Sequence, residues 1–263
     1  MAHQIFLINA FTREKFKGNP AAVILMSNKR SDDWMQSLAN EINQPITAFV
    51  TQTEQNRYNL RWFTPIEEID LCGHGTLGAA HILWSEGLTA TTSPIIFETQ
   101  SGTLQTERSA EQIILRFPIK QTKNIEVTDY LEAVVDSPIV NAAWAEDRYI
   151  LELEDAKTIH NVTPCLEAIR KLDGPGVILT SRGSNQYDFV SRYFAPKIGI
   201  NEDFVTGSAH CALASYWGKV LAKKQFTAFQ DSARGGEIHL KIAGENVELI
   251  GDCLTLISGQ MIN

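Results

Sequence analysis

The sequence predicts an α+β fold made of two similar halves, each a strand-rich sheet around one apolar helix. Three observations predict it. Short segments of strand character outnumber helices along the 263 residues. Two small-residue helix starts, Gly73-His74-Gly75-Thr76 and Val205-Thr206-Gly207-Ser208, recur about half a chain apart. A polar stretch with lysines at 118–128 separates the halves.

The first half reads as strands at 4–11 and 21–26 around the loop Gly18-Asn19-Pro20. Segment 57–62 alternates, with Tyr58, Leu60 and Trp62 on one side and Arg57, Asn59 and Arg61 on the other, the mark of a half-buried strand. Strand signals follow at 94–99, 103–107 and 112–117. The second half adds 140–145, 149–153, 176–180, 187–195, 226–230, 237–243, 247–250 and 255–259.

Four helices are expected. Ser31 caps the first, with Asp32 and Asp33 where the helix dipole favours negative charge. Trp34, Met35, Leu38, Ala39 and Ile42 form its apolar stripe, which ends at Asn43. The second runs over 75–86 and stops at Gly87. Thr163 caps the third, with Pro164 at its first position, up to Leu172. The fourth, at 207–222, is the most apolar. The expected domains are 1–120, carrying Glu41 and His74, and 121–263, carrying Asp203 and Ser208, with the last few residues returning to the first.

Lysine and arginine number 23 and aspartate and glutamate 31, a net charge of −8. An acidic chain argues against nucleic acid or an anionic membrane as partner. The longest clean apolar run, 21–26, is far short of the roughly 20 residues a membrane span needs. With no signal-peptide pattern and four unpaired-looking cysteines at 72, 165, 211 and 253, the expected compartment is the cytoplasm.

Both helix starts offer backbone N–H groups and a positive dipole end, suited to a carboxylate or phosphate. Gly73, Gly75 and Thr76 at one start, and Thr206 and Gly207 at the other, are candidate substrate-binding residues. Ligand sites favour domain interfaces, so the expected site lies between the halves. Glu41 falls within roughly 20° of Trp34 on a helical wheel, at the edge of the apolar arc. Burial there would raise its pKa and suit acid–base work; an edge glutamate reaching for water is the plainer reading. His74, between two glycines, is a proton carrier or a turn histidine. Asp203 caps a turn or supplies a carboxylate. Ser208 sits in the first turn of the fourth helix. His81 and His210 lie inside helices and read as packing or surface residues. Zinc spacings, a nucleophile elbow, a Walker motif and a dinucleotide fingerprint do not occur.

Four segments together resemble the PhzF-like, phenazine-biosynthesis-protein family of the diaminopimelate epimerase fold. They are Gly18-Asn19-Pro20-Ala21-Ala22-Val23; Glu41-Ile42-Asn43 with Thr47-Ala48-Phe49-Val50; Phe63-Thr64-Pro65 with Leu71-Cys72-Gly73-His74-Gly75-Thr76-Leu77-Gly78; and Glu202-Asp203-Phe204-Val205-Thr206-Gly207-Ser208-Ala209. The resemblance implies two pseudo-symmetric domains, each a β-barrel-like mixed sheet wrapped around a central helix. It implies a homodimeric isomerase or epimerase that acts on a small carboxylate-bearing substrate and needs no metal or other cofactor. By family position Glu41 is the general acid/base, His74, Asp203 and Ser208 complete the catalytic set, and Asn19 joins the substrate-binding residues. The chain departs from the family pattern at Pro45, Ile46, Phe204 and Gly75. Two other readings follow from the same fold. A two-cysteine racemase would use Cys72, but Val205-Thr206 stands at the second helix entrance and Cys211 lies a turn further in. A catalytically silent ligand-binding protein is the other.

Overall fold

The alternating segment becomes the strand Arg57–Phe63, with Tyr58, Leu60 and Trp62 buried. The computed structural model describes residues 3–262. The chain divides into two compact units, one from its first part up to Arg116 together with Ile250 onward, the other from Phe117–Leu249.

In the first unit, Gln4–Ala10 pairs antiparallel with Asn19–Met26 on one side and with Cys253–Gln260 on the other. That second pairing ties the C-terminal strand to this unit. From Asn19–Met26 the sheet continues parallel to Thr47–Glu54, antiparallel to Arg57–Phe63, parallel to Ile95–Thr99 and antiparallel to Gly102–Ser109. The second unit repeats this order of pairings. Asn141–Ala145 is antiparallel to Arg148–Glu152, which is parallel to Val177–Arg182. Next come Phe189–Ala195, antiparallel, then Gln225–Gln230, parallel, and Gly236–Ala243, antiparallel. The repeat that is faint in the residues is thus explicit in the topology. The fold is α+β, each unit a succession of mixed strand pairings with one central helix.

Six helices are present among the described residues: α1 (Asp32–Ile42), α2 (Gly73–Ser85), α3 (Asp129–Glu132), α4 (Ala156–Asn161), α5 (Leu166–Lys171) and α6 (Gly207–Leu221). The central helices are α2 and α6, buried on nearly every face. An all-round apolar helix needs cover on all sides, and a curling sheet supplies it. Gly78 permits the close approach: a Cβ there would lie 2.8 Å from Ile8 Cδ1. By contrast α1 is amphipathic and buries Met35 and Ala39 against Ile24, Phe49 and Phe63. Ser31 caps it as expected, its Oγ accepting from Trp34 N–H at 3.3 Å.

Three expectations need correction. The third helix does not begin at Thr163 and Pro164: Cys165 is the N-cap and α5 starts at Leu166. Residues 156–161, outside the four expected helices, form α4, capped by Asp155 Oδ1 accepting from Thr158 N–H at 2.7 Å. Thr47–Glu54 is a full strand that the alternation test misses, because its first four residues are buried on both faces. No helix among the described residues is long and apolar enough to cross a membrane.

Candidate active site

The start of α2 is built by Cys72. Its backbone is extended and its Sγ accepts from Gly75 N–H at 3.4 Å, while its carbonyl accepts from Thr76 N–H at 3.0 Å. Cys72 Sγ lies 3.5 Å from His74 Nδ1, and the Asn19 amide nitrogen lies 3.4 Å from the same ring atom. All three side chains are buried. A thiol, an imidazole and an amide therefore converge at one helix N-terminus, where dipole and N–H groups favour negative charge, including a thiolate. Asn19 and His74, named from the resemblance, are thus brought together, and Cys72 joins them.

Two residues at this start turn inward. Thr76 is buried and its Oγ1 donates to Cys72 O at 2.6 Å, so its side chain serves the helix rather than a ligand. Gly75 is there for space: a Cβ would lie 2.7 Å from Trp62 Cδ1 and 3.0 Å from Ile46 Cγ2. Two of the departures from the family pattern, Gly75 and Ile46, are thus packed against each other. The Trp62 indole N–H is buried there with no hydrogen-bond partner among the described residues.

Glu41 follows the plainer of its two readings. Its side chain is exposed, not held on the edge of the core. The buried stripe of α1 is centred on Met35 and Ala39, and at about 100° per residue Glu41 lies about 200° round from Ala39. The burial that the acid–base reading calls for is therefore not seen.

The start of α6 is ionic. Asp203 ends the strand Ile200–Asp203 and holds the turn that follows it. Its Oδ2 accepts from Thr206 Oγ1 at 2.5 Å. Gln230, fully buried, clamps this turn: its Oε1 accepts from Thr206 N–H at 2.8 Å and its Nε2 donates to Asp203 O at 2.7 Å. The Thr206 side chain and N–H are thus both engaged within the protein. Gly207 is buried, Gly73 half-buried, and Ser208 exposed. Arg148, at 6 % exposure, donates to Ser208 Oγ at 3.1 Å and forks onto Asp147.

Arg148 and Gln230 are functional neighbours that sequence reasoning missed. Arg148 follows a short polar hairpin turn and looks like any surface arginine. Its burial comes from strand pairings that a local pattern does not encode.

His210 and Cys211 are inert packing groups. His210 is fully buried against Phe189, its Nδ1 donating to Thr206 O at 2.8 Å, and burial pushes its pKa down to about 4. Burial pushes the Cys211 thiol up to about 12, outweighing the pull of Arg148 and Lys120. Among the described residues no group of three or more His, Cys, Asp or Glu side chains is placed to hold a metal ion.

The fold is shared with the crystal structure of a hydroxyproline epimerase from Agrobacterium vitis. That likeness, at TM-score 0.64 and 9 % identity over 98 % of this chain and 92 % of that one, shows the fold alone. At higher identity, an uncharacterized isomerase of Halalkalibacterium halodurans is 40 % identical over all of this chain and 99 % of its own. Relatives of this kind, named as isomerases, define an enzyme of the isomerase class. A PhzF-family crystal structure from Enterococcus faecalis superimposes with TM-score 0.95 at 38 % identity, covering both chains in full. The chain belongs to the phenazine biosynthesis-like (PhzC-PhzF) family, whose model matches residues 8–259.

Proposed function

We propose that this enzyme moves a proton between carbons of a small carboxylate-bearing substrate, without a metal or organic cofactor. The observation that carries the reading is the buried contact of His74 with Cys72 and Asn19 at the start of α2. A general base that works on a C–H bond gains from a dry setting, because water shells blunt its basicity. His74 has that setting and Glu41, in the free enzyme, does not. We therefore assign the proton to His74, with Cys72 as its hydrogen-bonded neighbour. Glu41, which the family resemblance favours, acts only where bound substrate covers it. The start of α6 is by itself suited to a carboxylate: Ser208 is exposed beside the Arg148 guanidinium, and Asp203 orients the turn.

A two-thiol racemase is disfavoured by Cys211, whose thiol is buried and held protonated. A silent binding protein would have no need of a thiol and an imidazole in contact.

The test is deuterium uptake at carbon, followed by NMR in D2O, over a panel of small carboxylates: β,γ-unsaturated acids, cyclic diene acids, 2-amino acids and 2-hydroxy acids. At least one is expected to exchange. Glu41→Gln should retain exchange within about tenfold; a loss of 10²-fold or more would return the acid–base role to Glu41. No exchange across the panel would contradict the enzyme reading.

A further inference from the structure

We infer that Arg148 is a positioning residue that turns the Ser208 hydroxyl into a dedicated hydrogen-bond donor to the substrate's carboxylate. The inference rests on the proposed function, which places a carboxylate at the start of α6.

A guanidinium has N–H donors and no acceptor. The contact from Arg148 Nη1 to Ser208 Oγ at 3.1 Å therefore has one polarity: the serine oxygen accepts. The hydroxyl keeps its own hydrogen for another acceptor. Ser208 is exposed, so that hydrogen is available to an incoming ligand. A serine that receives a bond from a cation is also a better donor, because the positive charge polarises its O–H. The nearby positive charge rewards an anionic acceptor over a neutral one.

Arg148 is held firmly enough for this task. Its Nε and Nη2 donate to the two carboxylate oxygens of Asp147, both at 2.8 Å, and its guanidinium lies 5.1 Å from the centre of the Tyr193 ring. Lys120 Nζ donates to the same Asp147 at 3.0 Å. Two cations thus share the Asp147 carboxylate, and of the two the Arg148 guanidinium is the one that touches Ser208. Glu146 lies 4.0 Å from Lys120, at the outer side of this group. The strand from Arg148 to Glu152 places the arginine, and its first residue pairs with Ala145 across the hairpin.

The first experiment needs no substrate. In Ser208→Cys, the pH dependence of iodoacetamide alkylation of the introduced thiol is followed by peptide mass spectrometry, with Arg148 intact and with Arg148→Met. The midpoint should rise by about one pH unit or more when the cation is removed, with Arg148→Lys in between. An unchanged midpoint would overturn the contact. Arg148→Gln replaces Arg148→Met should the latter not fold. The second experiment uses whichever carboxylate exchanges in D2O. Arg148→Met and Ser208→Ala should each raise KM about tenfold with kcat within about threefold, and the double variant should be no worse than either alone. A fall in kcat at constant KM would overturn the recognition role. If no carboxylate exchanges, the proposed function fails, and the thiol titration still decides whether Arg148 governs Ser208.

Discussion

The starts of α2 and α6 occupy the same place in a repeated topology, yet their chemistry differs. The first is soft and nearly uncharged: a thiol, an imidazole and an amide, backed by Trp62 and Ile46. The second is ionic: Asp203, Arg148, Asp147 and Lys120 surround Thr206 and Ser208. A carbon acid needs two services, a base in a dry pocket and a fixed counter-charge for its anion. The shared backbone supplies a helix N-terminus twice, and side chains decide what each one does.

The comparison can be broken most strongly by acid, at the second start. His210 lies one turn into α6, with its Nε2 buried and unpartnered among the described residues. Burial lowers its pKa from 6.5 to about 4. The unfolded chain binds that proton near pH 6.5, the folded chain only near pH 4. Acidification through this window therefore favours the unfolded state, by up to about 1.4 kcal/mol per pH unit and about 3 kcal/mol in all. Denaturant melts at a series of pH values should show this loss in the wild type. In His210→Gln, which keeps a donor for Thr206 O and does not titrate, that part of the slope should vanish. An identical slope in both would contradict the assignment.

A smaller effect is expected at the first start. Gly75→Ala places a methyl 2.7 Å from Trp62 Cδ1 and 3.0 Å from Ile46 Cγ2, inside a packed core. The expected cost is about 1–3 kcal/mol, read as a lower midpoint of chemical denaturation. Pairing it with Ile46→Ala should recover part of the loss by clearing one of the two neighbours. No recovery in the double variant would mean that the strain lies with Trp62 alone.

Much of this arrangement was legible in the sequence. Alternation at 57–62 located its strand, Ser31 its cap, and the two glycine-rich starts both central helices. These are local signals. The family segments named Asn19 and His74 separately, and the fold brings these side chains together across 55 positions of chain. What escaped notice depends on tertiary burial. Thr47–Glu54 is covered on both faces where it begins and so does not alternate. Glu41 shares an arc with Trp34 on a wheel, but the core chose Met35 and Ala39 as its centre. Arg148 and Gln230 are polar residues whose partners lie 60 and 24 positions away, so burial gave them roles that composition hides.

The central claim is that the buried imidazole at the first helix start carries the proton. It is tested most directly by His74→Asn, assayed for deuterium uptake at carbon in D2O with the carboxylate that the wild type exchanges. The predicted result is a fall in kcat of about 10²- to 10⁴-fold with KM nearly unchanged. Exchange at the wild-type rate in that variant would contradict it.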